Sequence, residues 1–243
     1  MAALLFLGLG ACSATSPQNP KSPDPETQSA IALEDEDPDV SAVKTTLRDA
    51  GGALVFVREL CDAAEVSEAT FFNYFKKKDD LLRYFIQIWT LEVQIVAEQR
   101  AGADGGVFYI ESIFAHTAER IADNPRVMLE IVGHMALHGE EEEDCEPPAL
   151  TFAERVQAFP ELADAAVSAD ECQLDAMFRA AITRAIAKKE LPAGVNVDVA
   201  VGTIISFFFG TPLWHTRIDP KDVGALYAAQ LSTLWEGLRC TNA

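Results

Sequence analysis

Basic residues are scarce in this chain: 19 Lys and Arg stand against 38 Asp and Glu, a formal charge of −19. That balance excludes a protein that coats nucleic acid without regard to sequence, because phosphates would be repelled over most of the surface. Any nucleic-acid contact has to come from a local patch. No apolar run reaches the roughly 18 residues that a membrane-spanning helix needs, which argues against an integral membrane protein. Five cysteines (Cys12, Cys61, Cys145, Cys172, Cys240) include no C-x-x-C pair. The spacing fits neither a disulfide framework nor a zinc site, and reads as reduced thiols in a cytoplasmic protein. A P-loop, a G-x-S-x-G elbow and a Rossmann glycine fingerprint are all missing. Carboxylates are plentiful, but no pair stands apart as acid and base. Nothing therefore points to an enzyme, a cofactor or a bound metal.

What is present divides the 243 residues into three stretches. Residues 1–39 form an extension. It opens on the apolar run from Ala2 to Ala11, where Leu9-Gly10-Ala11-Cys12 has the look of a bacterial lipobox, although no Lys or Arg precedes the run as an export signal requires. Five prolines and the acidic run Glu34-Asp35-Glu36-Asp37 follow. With so few large apolar residues this extension cannot offset its ordering entropy, and disorder is expected. From Val40 onward the apolar periodicity is helical, with no sustained alternation of period two. Gly and Pro clusters cut it into helices of ordinary length, which makes the fold class all-α.

The informative stretch is Val57 to Leu82, VRELCDAAEVSEATFFNYFKKKDDLL. Val57, Leu60, Cys61 and Ala64 lie on one face of a short helix. Ala64-Glu65-Val66-Ser67 makes a tight turn, and Ser67 is suited to cap the next helix by accepting from the N–H near Thr70. That helix has Phe71 and Phe75 as its inward pair, leaving Ala69, Thr70, Phe72, Asn73 and Tyr74 to face outward. Two short helices joined by a turn, the second polar outside, make a helix-turn-helix whose second helix suits the major groove. Lys76, Lys77 and Lys78 close it with the cations that phosphate positioning needs. Asp79 and Asp80 then open the next helix, where acids suit the positive end of the dipole. Residues 41–83 hold seven Lys/Arg and seven Asp/Glu, the least acidic part of the chain.

On these residues the stretch resembles the DNA-binding domain of the TetR (tetracycline repressor) family of transcriptional regulators. The resemblance runs through Val57-Arg58-Glu59-Leu60, Ala64-Glu65-Val66-Ser67, Thr70-Phe71-Phe72-Asn73-Tyr74-Phe75, Lys78 and Leu81-Leu82. It implies an N-terminal three-helix DNA-binding domain over residues 40–83 and a larger helical domain over 84–243 that binds a small-molecule effector and forms a homodimer. It also implies that Ser67 caps the recognition helix, that Thr70, Asn73 and Tyr74 face DNA with Thr70 and Tyr74 on phosphate, and that Lys78 meets backbone phosphate. Ala69 falls where a base-edge contact is common, and its methyl suits a thymine methyl. The partner would be a double-stranded operator, bound by a cytoplasmic repressor with no membrane association. Departures from the pattern exist. Glu65 replaces the usual turn glycine, and Phe72 replaces a tyrosine. The first helix, near Val40 to Ala50, is short and preceded by acids instead of bases. Two other readings follow: a helical ligand-binding or interaction protein of this descent with impaired DNA binding, or an exported lipoprotein.

Beyond Leu82 helices are expected to about Gln99 and then at about 106–122, 125–138, 149–158, 171–189, 197–215 and 221–239. In the TetR resemblance the last two form the dimer. The run Ile204 to Phe209 is apolar almost all round, as suits a helix covered on two sides. Candidates for an effector pocket are Trp89, Phe108, Phe114, Met128, Met135, Phe178 and Trp214, with core packing as the alternative role for each. His134 and His138 share a helix face, but Met135 stands where a H-E-x-x-H motif has glutamate, and two ordinary histidines are expected.

Overall fold

The computed structural model describes residues 42–44, 46, 57–138, 150–159, 173–215 and 219–240. The lipobox-like Leu9 to Cys12, the acids of 34–37 and most of the expected first helix lie outside them. So do the side chains of Tyr74, Lys78, His134, Met135 and His138. Among the described residues every regular element is a helix. In chain order these are α1 (Val57–Ala64), α2 (Glu68–Tyr74), α3 (Lys78–Ala101), α4 (Val107–Asp123), α5 (Pro125–His138), α6 (Phe152–Ala158), α7 (Leu174–Ala187), α8 (Val197–His215) and α9 (Val223–Cys240).

Local chemistry sets most of the boundaries. α6 starts at Phe152 because Thr151 and Glu154 close a capping box. Thr151 Oγ1 accepts from the Glu154 N–H at 3.3 Å, while the Glu154 carboxylate accepts from the Thr151 N–H at 2.7 Å. α9 is preceded by a short 3-10 turn, Pro220–Asp222, where Asp219 accepts from the Lys221 N–H at 2.9 Å. α4 follows the glycine-rich segment 102–106, and its first N–H group, that of Val107, donates to the carboxylate of Glu190 at 2.8 Å. A side chain at Gly106 would meet that carboxylate at 2.2 Å, so glycine there lets Glu190 hold the Val107 N–H.

α4 is the central helix, packed against α3 on one side and α9 on another, with α7 and α8 closing the far side. Phe114, Phe178, Phe208 and Tyr227 meet at its centre, the rings of Phe114 and Tyr227 lying 4.7 Å apart and edge to face. Trp89 joins them from α3, 5.7 Å from Phe208. α8 contains Pro212, which has no N–H to donate to the carbonyl four residues back. That carbonyl is Phe208 O, and the buried hydroxyl of Tyr227 donates to it instead. Burial also pushes the Tyr227 hydroxyl pKa far above the ordinary range, so it stays a donor. One apolar cluster runs from Val43 and Leu60 through Phe71 and Phe85 to Trp235. A boundary at residue 83 falls inside α3, which belongs to both ends of the molecule.

The exclusion of membrane spans drawn from uninterrupted runs needs correction at α8. Residues Val197–Trp214 are long and apolar enough, by length and composition, to cross a bilayer. Isolated polar residues such as Asp198, Thr203 and Ser206 break the run without making the helix polar on average. A third of this window is buried within the chain.

Candidate nucleic-acid interface and a neighbouring cleft

The turn between α1 and α2 is built by backbone bonds. Glu65 has φ 58°, the left-handed conformation in which glycine is the usual residue. The Val66 N–H then reaches back to Cys61 O at 3.0 Å, the bond that closes a Schellman-type helix end. The departure from glycine at this position is therefore a real backbone cost. Ser67 is extended at φ −78°, ψ 151°, and its Oγ accepts from the Thr70 N–H at 3.0 Å. The same Oγ lies 2.9 Å from Thr70 Oγ1, tying that hydroxyl to the cap.

α2 divides into two faces. Phe71 is fully buried and stacks on buried Phe75 with ring centroids 5.1 Å apart. Leu60 and Cys61 from α1 complete this small core, and burial pushes the Cys61 thiol pKa up, with Glu68 and Asp62 adding to the effect. On the other face Ser67, Ala69 and Asn73 are exposed, Thr70 is half-buried and Phe72 is 44% exposed. Lys76 and Lys77 follow, both exposed. Lys76 Nζ donates to Asn73 O at 3.2 Å, which holds the amino group at the end of the helix. The Lys77 N–H donates to the Asp80 carboxylate at 2.9 Å and starts α3. The outward face thus offers a hydroxyl, a methyl, an amide, an aromatic edge and at least two ammonium groups along one short helix. Such a face can meet base edges and phosphates together.

A second feature lies further along α3. Phe85 and Trp89 of α3, Thr117, Arg120 and Ile121 of α4, Asn124 beyond it, and Met128 and Ile131 of α5 enclose a cleft. It is shallow, with room for little more than a water or two. Beside it Arg120 donates to Glu92 at 3.1 Å, and His116 Nε2 lies 2.9 Å from the same carboxylate. Burial raises the pKa of Glu92, but the His116 hydrogen bond and the charge of Arg120 outweigh it and hold the carboxyl below its ordinary value.

Of the sequence-derived pocket candidates, Trp89 and Met128 line this cleft. Phe114 and Phe178 belong to the aromatic centre and do not line it. Phe108 is 57% and Trp214 75% exposed, so neither lines an interior space in this chain. Phe108 faces outward because α4 buries Val107, Tyr109, Ile110, Ile113 and Phe114. Thr117, Arg120 and Asn124 were not expected in the cleft. Their signal is a polar spacing of i, i+3 and i+7 that runs from the last turns of α4 to its C-cap.

Two helices, a capped turn between them and a polar outward face on the second define a helix-turn-helix DNA-binding protein. Residues 47–85 match the model of the family described as bacterial regulatory proteins, tetR family. Over residues 47–85 the chain therefore carries a DNA-binding domain of that family's kind. No curated protein matches the chain.

Proposed function

We propose that this protein is a homodimeric, effector-responsive transcriptional repressor. The observation that carries the proposal is the exposed polar face of α2, held rigid by the Ser67 cap and the Phe71–Phe75 stack, within the domain that matches the tetR family. In this reading Ala69, Phe72 and Asn73 meet base edges in the major groove. Ser67, Thr70, Tyr74, Lys76, Lys77 and Lys78 sit on sugar and phosphate. The acidic remainder of the chain keeps non-specific attachment weak and leaves recognition to this patch.

A dimer is needed to put two such helices into successive grooves about 34–36 Å apart. In this reading α8 and α9 form its seam, and the support comes from the outer surface of α8. Val199 is 62% and Leu213 42% exposed, and Gly202 and Gly210 have nothing near the position of a side chain. Apolar residues beside backbone left bare suit the close approach of a second helix. The effector would act through α3, a single helix of 24 residues that begins at the DNA-facing unit and packs against α4. An effector that favours one setting of α3 shifts the population of dimers able to match both grooves. Residues 84–243 then serve as effector and dimer domain, the 40–83 unit as reader, in the cytoplasm.

The test is an electrophoretic shift with DNA from upstream of the protein's own gene, with light scattering to give the mass in solution. A salt-sensitive shift by a dimer is expected. A monomer, or a dimer that shifts no such DNA, would contradict the proposal, the latter in favour of a relative that has lost DNA reading.

A further inference from the structure

The outward face of α2 has an unusual stock of base-reading groups. Ala69 and Asn73, one helical turn apart, lie opposite the buried Phe71 and Phe75, and both are exposed. Exposed Glu68 and Phe72 flank them on one side, and half-buried Thr70 on the other. Neither Arg nor Lys occurs within Glu68–Tyr74. Guanine shows the major groove two acceptors, O6 and N7, and Arg or Lys is the residue that reads them. Lys76 follows the helix, its Nζ held on Asn73 O at 3.2 Å, whereas base edges are met by the N-terminal part of a recognition helix. The Thr70 hydroxyl is turned to Ser67 Oγ at 2.9 Å. Glu68 adds a carboxylate, an acceptor that the acceptors of guanine repel. What remains suits the other base pair. An asparagine amide donates to N7 and accepts from the N6 amine of one adenine, and apolar side chains cover the methyl of thymine. The Phe72 ring is preset for this, standing edge to face on Phe71 at 89° and 5.1 Å. Ala69 and Asn73 are about 6 Å apart along the axis, close to two base-pair steps of ~3.4 Å.

We infer that α2 selects operators whose half-site core is a run of about two or three A·T pairs. Asn73 reads an adenine, Ala69 and Phe72 cover thymine methyls, and Glu68 refuses guanine beside them. The inference rests on the reading of α2 as the DNA-facing helix, and it names the base chemistry of the partner.

Selection by the full chain from a library of randomised duplexes tests it. Enriched half-sites are expected to share an A·T core. Replacing the core thymines of a selected duplex by uracil removes their methyl groups alone, and should weaken binding about fourfold for each methyl that was covered. Phe72→Ala should bind the selected duplex more weakly and lose part of that uracil effect, which a merely structural Phe72 would leave in full. Asn73→Asp cannot donate to adenine N7 but can accept from the cytosine N4 amine. Its selected sites should carry cytosine in place of adenine at one core position, by about fivefold or more. Glu68→Gln brings a donor and should admit guanine at one neighbouring position. All three side chains are exposed, so the variants should keep the native melting temperature within a few degrees. Enriched cores of G·C pairs, uracil duplexes bound as tightly as thymine ones, or native preferences in a folded Asn73→Asp variant overturn the assignment and leave DNA binding in place. The absence of any enriched sequence removes the DNA-reading helix itself, and this assignment with it.

Discussion

The two ends of the molecule use aromatic residues in opposite ways. In the helical body Phe114, Phe178, Phe208 and Tyr227 close on one another from four helices, with Trp89 against them. In the helix-turn-helix unit the rings form a short chain instead: Phe71 stacks on Phe75, half-exposed Phe72 meets the edge of Phe71, and Phe75 lies 6.4 Å from Tyr84. A short helix cannot bury much, so its stability has to come from tertiary packing and caps. The difference teaches that the reading unit is held at few points and the body at many. The cleft lies on α3, the helix they share.

Removing the buried ring at the centre of that chain should have the largest effect. Phe71→Ala is expected to cost about 3–5 kcal/mol locally, because a fully buried ring leaves a cavity that so small a core cannot close. Amide hydrogen exchange should show α1 and α2 opening while the body remains protected. Equal opening of both ends would erase the contrast.

The body is expected to be more sensitive to polar than to apolar loss at one point. Tyr227→Phe keeps the ring but removes the hydroxyl that meets Phe208 O above Pro212. A stability loss of about 1–3 kcal/mol in chemical denaturation is expected, the cost of an orphaned buried carbonyl. Pro212→Ala restores an N–H donor for that carbonyl, so Tyr227→Phe should cost less in that background.

The junction has a pH signature. Glu92 has its folded pKa held below the ordinary carboxylate value of 4.5, so its contribution is fully present at neutral pH. It is lost as the pH falls through that ordinary value toward the lower folded one. Glu92→Gln should therefore lower stability at pH 7 and flatten the acid limb of a pH–stability profile. An unchanged limb would mean the Glu92–His116–Arg120 cluster does not join α3 to α4.

The smallest effect concerns the turn. Glu65→Gly relieves a left-handed residue at φ 58° and should stabilise the reading unit by up to about 1 kcal/mol, net of the extra freedom that glycine gives the unfolded chain. A thermal melt that shows loss instead would place the value of Glu65 in its side chain.

Much of this architecture was legible in the residues alone. Apolar spacing and caps mark helices locally, so α4, α5 and α8 fall within a residue or two of their expected ends. Ser67 was legible for the same reason, since its cap needs only the Thr70 N–H three residues on. The cleft was not. On α4, Val107, Phe108, Tyr109 and Ile110 are apolar all round, and only the packing of α3, α7 and α9 decides that Phe108 faces out. Thr117 reads as an ordinary helical threonine until its neighbours are known to leave it without a partner. The bilayer-length character of α8 was hidden because it is an average over the helix, not a run.

The central claim is that the outward face of α2 reads DNA. Its most direct test compares the native chain with the double variant Asn73→Ala, Lys76→Ala in an electrophoretic shift on the gene's own upstream DNA, at two salt concentrations. Both side chains are exposed, so melting temperatures should agree. The native chain is expected to give a shift that weakens with salt, and the variant a markedly weaker shift with a shallower salt dependence. Equal shifts by the two proteins, or no shift by either, would contradict the claim.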